Sequence, residues 1–368
     1  MSGAEDQSLV EGIEFPAIPR DAQKKIAHLQ EEFLRAEVEQ LRKSVPLLQP
    51  LFKKRNEVIS IPEVQSDFWI RVFSSAPAEI DEYVLPTDAA AIGAGLKNLN
   101  VERFEVDAQG NGEPRSLRFT FDFEASEDLP FENTQLVKEF YWRKQIIKTS
   151  SGKRRTWEGL VSEPVRINWK EGMDLTKGLL NAACDLAEAE KKKGGDRKKL
   201  PEYEALVKKI GEVEAEAEGE DEEENDDDED PESPAGTSFF AFFGYRGRDV
   251  TAEQSKEANK EDDERFAKIS KGEEVEDDDE DEDDDEDDLV DDLEDAEIFP
   301  DGEEFAIALA EDLWTDAMKY YIQSFELGDD LDELDMEELE GLDEMDEDED
   351  EGEAQGEGES RPRKKARN

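Results

Sequence analysis

LRAEVEQLRKSVPLLQPLFKKRNEVI, residues 34–59, decides the architecture of this chain. Its apolar residues fall at Leu34, Val38, Leu41, Val45, Leu48, Phe52 and Ile59, with Arg55 in the one polar slot. The steps alternate four and three, the spacing of a helix face that packs along another helix. A second stripe holds Ile26, Leu29 and Phe33, then Leu47, Leu51 and Val58. Pro46 and Pro50 interrupt the pattern, and each removes a backbone hydrogen bond and bends the axis. The register nevertheless continues from Val45 through Phe52. The reading is one kinked helix from an N-cap at Asp21 to about Ser60, roughly 60 Å long at 1.5 Å per residue. Two apolar stripes on such a rod exceed what a small domain covers. A second copy of the chain is therefore the expected partner, through the seam from Leu34 to Ile59.

Downstream the composition shifts. DFWIRVF (67–73) is a short aromatic segment, and the stretch through GAGL reads as short helices and turns. NLNVERFEV and RSLRFTFDFE alternate apolar and polar residues, with the turn sequence AQGNGEP between them. QLVKEFYWRKQII is a third strand and EPVRINWK (163–170) a fourth, with TSSGKRRTWEGLVS as a basic projecting hairpin. Neighbouring strands joined by turns imply an antiparallel sheet. A helix follows over DLTKGLLNAACDLAEAEKKKGG. Two aromatic islands, SFFAFFGYRG (238–247) and EEFAIALAEDLWTDAMKYYIQSFEL, are too apolar to stay in water and should cover the sheet. The fold class is α+β.

The charge is distributed unevenly. The 368 residues hold 104 acidic and 45 basic side chains, a formal charge of −59. Of the carboxylates, 15 lie in 212–232, 20 in 273–297 and 20 in 326–360, none of these runs containing Lys or Arg. The rest of the chain, with 49 acidic and 45 basic residues, is nearly balanced. Runs of like charge cannot bury enough apolar surface to offset their ordering entropy, so they read as disordered appendages. The expected organisation is a flexible start (1–20), the long helix (21–62) and a domain over 63–325. Acidic insertions of that domain fall at about 190–235 and 253–300. An acidic tail (326–368) ends in the basic cluster Arg361, Arg363, Lys364, Lys365 and Arg367.

Such a charge repels nucleic acid and anionic membranes and attracts basic proteins or divalent cations. MSGAEDQSLV lacks the basic start and apolar core of a signal peptide. With one cysteine, Cys184, and one histidine, His28, the chain has no pair for a disulfide and few partners for a zinc site or a nucleophilic triad. Cys184 reads as a small packing residue. Neither a cofactor nor a metal is expected, and the chain reads as a non-enzyme.

At this point the sequence resembles the nucleosome assembly protein family, in its SET/template-activating-factor branch of histone chaperones. LQPLFKKRNEVI with DFWIRVF resembles the family's join between long helix and domain. FENTQLVKEF resembles its hallmark strand, with Phe131-Glu132-Asn133 and Lys138-Glu139-Phe140 in matching places. INWKEGMDLTK, SFFAFF and EDLWTDAMKYYI resemble its strand-to-helix junction, aromatic turn and last helix. The resemblance spans 21–325. The acidic stretches 190–235 and 253–300 are longer than the family's loops, and Thr315 and Ala317 replace its prolines.

The resemblance implies a homodimer whose kinked helices pair antiparallel. Each end carries an earmuff domain, a four-stranded antiparallel sheet with helices on one side. It implies core histones as partners, held by Glu124, Glu127, Asp128 and Glu132 after the second strand and by Glu311 and Asp312 on the last helix. The acidic runs would stand in for DNA phosphates. A different reading is an acidic regulator of a phosphatase or histone acetyltransferase, and a third a divalent-ion buffer. Lys153, Arg154 and Arg155 would hold the chain's own acidic segments or touch DNA. The cluster 361–367 reads as a nuclear localisation signal, placing the protein in the nucleus with shuttling to the cytoplasm. No membrane partner and no sequence-specific nucleic-acid binding are expected.

Overall fold

The computed structural model describes residues 18–148, 154–194, 196–221, 238–273 and 294–326. Helix α1, Arg20–Ile59, runs unbroken for 40 residues with both prolines inside it. Asp21 sits in its first turn rather than capping it; the N-cap is Pro19, which offers no side-chain acceptor. Three short helices follow: α2 (Pro62–Gln65), α3 (Phe68–Phe73) and α4 (Ala78–Asp81). DFWIRVF is thus helical, and its Phe68, Trp69, Val72 and Phe73 are all buried. Helix α5 (Pro86–Gly95) leads directly into the sheet.

The sheet has four antiparallel strands in the order β1 (Leu96–Glu102), β2 (Leu117–Phe123), β3 (Gln135–Lys148) and β4 (Arg154–Ser162). The β1–β2 connection turns where AQGNGEP predicts. Asp107 accepts the amides of Gln109 and Asn111, and Gly112 at φ +118° has no room for a Cβ, which would meet the carbonyl of Glu105. The fourth strand is not EPVRINWK but the preceding RRTWEGLVS, half of the segment read as a projecting hairpin. Its cations Arg154 and Arg155 hid the alternation; Arg154 is paired with Glu261 and Asp262, more than 100 residues later. Residues 163–170 instead run as a connector with isolated pairings, such as Val165 N to Phe243 O and the Phe131–Trp169 bridge.

One face of the sheet builds the core. Leu99, Phe119, Phe121 and Phe140 are at most 1% exposed, and onto them packs the aromatic turn Phe239–Gly244. Phe242 stacks on Phe140 at 5.2 Å, Phe243 meets Phe121 at 5.4 Å, and Phe240 meets Phe131 at 5.4 Å. Buried Asp88 anchors the start of this turn by accepting Ser238 Oγ at 2.5 Å and Phe239 N at 2.8 Å. Lys138 anchors its end. Fully buried, its ammonium donates to the carbonyls of Glu163, Phe243 and Tyr245 at 2.9, 3.1 and 2.7 Å. Three acceptors match the three N–H bonds of an ammonium. Burial pulls its pKa down to about 7, against the opposing pull of Glu297. Glu297 in turn accepts the amides of Arg246, Gly247 and Phe299.

Helix α6 (Leu179–Lys193) buries Leu180, Ala183, Cys184 and Leu186 against the core. Burial pushes the Cys184 thiol up to about 11, which makes it the packing residue expected. The stretches read as acidic insertions are largely folded where they are described. Helix α7 (Pro201–Asp221) buries Leu206 and Val213, and α8 (Ala252–Ser270) starts at a capping box of Thr251 and Gln254. Ile298 and Phe299 are buried as well. The acidic residues at 222–237, 274–293 and 327–360 lie outside the described residues. The last aromatic island is not one helix: α9 (Gly302–Ala308) passes into a π turn (Leu309–Leu313), and helix α10 follows over 317–326.

Candidate functional site

The six predicted carboxylates form two groups. Glu124, Glu127, Asp128 and Glu132 project from the β2–β3 turn, all exposed. The turn itself is held rigidly. Leu129 and Phe131, each 1% exposed, plug its inner side into the core. Ser126 Oγ accepts the amides of Asp128 and Leu129. Lys170 Nζ donates to the carbonyls of Ser126 and Glu127 at 2.9 and 3.1 Å, and Lys170 N to that of Pro130 at 2.8 Å. Glu132 N bonds to Asn168 O, and Asn168 N returns a bond to Asn133 Oδ1. Backbone groups absorb these donors, so the carboxylates stay free to face solvent; among the described residues only Glu124 of the four forms an ion pair, with Lys97 at 3.2 Å. Glu171, exposed beside Lys170, adds a fifth carboxylate that sequence reasoning missed; its place depends on the pairing of 168–170 with 130–133.

Glu311 and Asp312 lie at the opposite end of β1. Glu311 pairs with Arg103, just beyond Glu102, at 2.8 Å, whereas Glu124 bonds through its amide to Gly95, just before Leu96. The seven residues of β1 between them span about 24 Å at roughly 3.4 Å each. Asp312 accepts the Tyr320 hydroxyl at 2.6 Å; burial first, and then this bond, push Tyr320 up to about 12. Asp312 is thus partly committed to holding the π turn against α10.

The seam on α1 divides as well. Ile59 is buried in its own chain, and Phe52 packs on Trp314 at 4.4 Å. Arg55 is buried between these two rings, donating to the carbonyl of Trp314, and burial lowers its pKa to about 10. Phe52 and Ile59 therefore hold α1 to its own domain and are not free for a second copy. Val38, Leu41 and Val45 are half-buried, while Leu34 and Leu48 are each 41% exposed. The second stripe is the open one: Phe33 is 61%, Leu47 72% and Leu51 55% exposed, and Ile26, Leu29 and Val58 are exposed too.

A third charged feature joins three elements. Asp262 of α8 receives Lys144 of β3 at 2.8 Å, Arg35 of α1 at 2.9 Å and Arg154 of β4 at 3.6 Å. Burial would raise its pKa, but these cations hold it below the usual carboxylate range. Ser255 of α8 also accepts the amide of Lys144, on the edge of β3 that extends past β2. Arg154 therefore holds one of the chain's own acidic segments, as read from the sequence. Lys153 and the cluster Arg361–Arg367 lie outside the described residues. Among the described residues no group of three or more His, Cys, Asp or Glu is placed to hold a metal ion, and no helix is long and apolar enough to cross a membrane.

The model of the nucleosome assembly protein (NAP) family matches residues 61–324. This chain belongs to that family. A Schizosaccharomyces pombe protein named as a nucleosome assembly protein is 35% identical over 150 residues, 41% of this chain and 58% of that one. Protein SET of Drosophila melanogaster is 29% identical over 177 residues, 48% of this chain and 54% of its own. The chain thus spans little more than half the length of these relatives. A crystal structure of a Ccp1 mutant, 24% identical, superposes with a TM-score of 0.46, covering 84% of this chain and 98% of that one. The family match begins after α1, so the long helix is interpreted from its own residues.

Proposed function

We propose that this family member is a non-enzymatic histone chaperone, binding core histones through fixed carboxylates and transferring them during nucleosome assembly and disassembly. The observation that carries the reading is the pinned β2–β3 turn. A chain with this fold presents Glu124, Glu127, Asp128 and Glu132 on a backbone held from both sides, leaving most of their charge unspent. Glu311 and Asp312 form a second contact at the other end of β1. Exposed ion pairs are individually worth about 0–1 kcal/mol, so affinity must come from many acting together. Calorimetry with purified core-histone dimers and tetramers at several salt concentrations tests the reading. No heat above that of an unrelated basic protein of similar charge would refute it.

The chaperone acts as a homodimer through the outward stripe of α1. Four of its six residues are placed symmetrically about Arg42: Ile26 and Val58 each lie 16 residues away, and Phe33 and Leu51 each lie nine away. An antiparallel pair needs this symmetry, because it sets Phe33 of one copy opposite Leu51 of the other. The cluster Arg361–Arg367 serves as a nuclear localisation signal, and its deletion should move a fluorescent fusion toward the cytoplasm. The similarity to Protein SET supports a second role, regulation of a phosphatase or acetyltransferase. An assay of such an enzyme with and without histones separates the two roles.

A further inference from the structure

Helix α8 grips two different elements along its length. Its first half lies on the sheet, where Ser255 Oγ accepts Lys144 N at 3.0 Å and Glu261 pairs with Arg154 at 3.3 Å. Its second half holds α1. Asp263 accepts Arg35 Nη1 at 2.6 Å, and the Phe266 ring meets the His28 ring at 5.0 Å and the Arg35 guanidinium at 4.3 Å. The helix closes in a Schellman motif, with Glu273 N donating to Lys268 O at 3.1 Å and Gly272 N to Ile269 O at 2.8 Å. Ser270, exposed in the last turn, donates its hydroxyl proton to Phe266 O at 2.9 Å. That hydroxyl therefore ties the helix end to the residue that grips α1.

We propose that Ser270 is a phosphorylation site for a serine kinase with a basic substrate groove, and that its phosphate unfastens α8 from α1 while leaving α8 on the sheet. Exposure and charge select this serine. Glu273 stands three residues after it, and the sequence continues in carboxylates to Asp288 with Val275 the one exception. Such a run complements a cationic groove. Among the described serines and threonines only Ser60 also has a carboxylate three residues on, and that one, Glu63, stands alone between Pro62 and Val64. In the transfer, Ser270 Oγ attacks the γ-phosphorus of a magnesium-bound nucleoside triphosphate on the kinase. The bond from that phosphorus to the β–γ bridging oxygen breaks, the nucleoside diphosphate leaves, and the hydroxyl proton passes to a base of the kinase.

The consequence follows from position. A phosphoserine carries a charge of about −1.5 to −2 at neutral pH. Its esterified oxygen no longer has a proton for Phe266 O, and the new charge falls beside Glu273 at the negative end of the helix dipole. The last turn opens first and takes Phe266 with it. Glu261 and Ser255 lie about two and four turns further back, so their bonds to the sheet persist. Lys268 and Lys271, both exposed, are the neighbouring cations that would oppose this by pairing with the phosphate.

The test treats the full-length chain with a purified acid-directed serine kinase and magnesium ATP, beside a Ser270→Ala chain treated in the same way. Mass spectrometry of peptides locates the phosphate, and amide hydrogen exchange reads the helix. The expected result is phosphate on Ser270 and exchange about tenfold faster over 263–270, with faster exchange over 25–36 and no change over 252–261. The treated Ser270→Ala chain should show none of these changes, which separates Ser270 from any other serine modified. Ser270 left bare, with or without phosphate elsewhere, overturns the proposal. So does a phosphorylated Ser270 with unchanged exchange, or with slower exchange because Lys268 and Lys271 clamp the phosphate to the helix end.

Discussion

Lys138→Met should be among the most damaging single changes in the domain that leave its surface untouched. The side chain is fully buried, and a methionine fills nearly the same volume, so packing is largely conserved. What changes is the polar accounting around the aromatic turn. Phe243 O keeps a donor in Val165 N, and Glu163 O keeps a long contact from Ser162 Oγ at 3.4 Å. Tyr245 O loses its bond to Nζ, and Glu297 loses a favourable charge that acts on it without a contact ion pair. A buried acceptor stripped of its donor costs about 1–3 kcal/mol. The lost attraction to Glu297 adds to this and relief of the lysine's own desolvation offsets part of it, leaving an expected loss of about 2 kcal/mol. Against a typical total of roughly 5–15 kcal/mol, that is a large fraction. Urea unfolding followed by tryptophan fluorescence measures it, with Trp142 and Trp169 near the core as reporters. Glu297→Gln alone, and combined with Lys138→Met, completes a cycle in which the double variant should be less damaged than the two losses added together. A Lys138→Met chain within about 0.5 kcal/mol of wild type, the range of a neutral surface change, would show that the lysine holds nothing.

Asp262→Asn should loosen α8, accelerating amide hydrogen exchange over 252–270 well above that of β2, because Arg35, Lys144 and Arg154 lose their shared charged partner; unchanged exchange would mean that Ser255 and Phe266, whose ring meets His28 and Arg35 of α1, suffice. Glu303→Gln should change the pH dependence of stability. Burial pushes Glu303 from its ordinary 4.5 to about 7, so its contribution is full below about pH 4.5 and lost as pH rises through about 7; the variant should lose less stability than wild type between pH 5 and 8, and parallel curves would count against a buried protonated carboxyl. Phe33→Asp with Leu51→Asp should give monomers by analytical ultracentrifugation, since burying unpaired charge costs several kcal/mol per dimer; an intact dimer would return the interface to Val38 and Leu41. Neutralising Glu124, Glu127, Asp128 and Glu132 together should raise the histone off-rate, whereas deleting 326–360 should mainly lower the on-rate and flatten its salt dependence. Stopped-flow binding that shows the surface variant dissociating like wild type would assign recognition to the tail.

Features set by local periodicity were legible in the sequence. The 40-residue helix, the first three strands and the aromatic turn each announce themselves by a period or by dense aromatics. The fourth strand was hidden because Arg154 and Arg155 read as a solvated basic tip. The acids that receive Arg154 come from Glu261 and Asp262, more than 100 residues later. Helix α8 was passed over for the converse reason, since its acidic composition outweighed a capping box, Thr251 with Gln254, that was in plain view. Periodicity found both stripes of α1 but could not say which one faced inward. That choice is made by Trp314, which packs on Phe52 and hydrogen-bonds to Leu99 O at 2.9 Å. The candidate site was legible in residue type and not in arrangement: the sequence places four carboxylates after the second strand and two on the last helix, and only the fold sets them at opposite ends of β1.

That division bears on how a weakly bound, exchangeable ligand is held. One cluster of four carboxylates could grip a basic patch but would leave the rest of the ligand free to rotate. Two clusters at opposite ends of β1, about 24 Å of strand apart, fix an orientation, and each can be released separately. The cost of ordering side chains on binding falls when the groups are held beforehand, which gives the bonds from Ser126, Lys170 and Asn168 to the turn backbone a functional consequence. They spend no carboxylate oxygen in stiffening the loop that carries the carboxylates. Lys170→Met should therefore weaken binding without removing a single acidic group. Because Lys170 is itself a cation beside the site, a model based on charge alone predicts the opposite, tighter binding. Titration calorimetry of that variant against a core-histone dimer decides between them by the sign of the change.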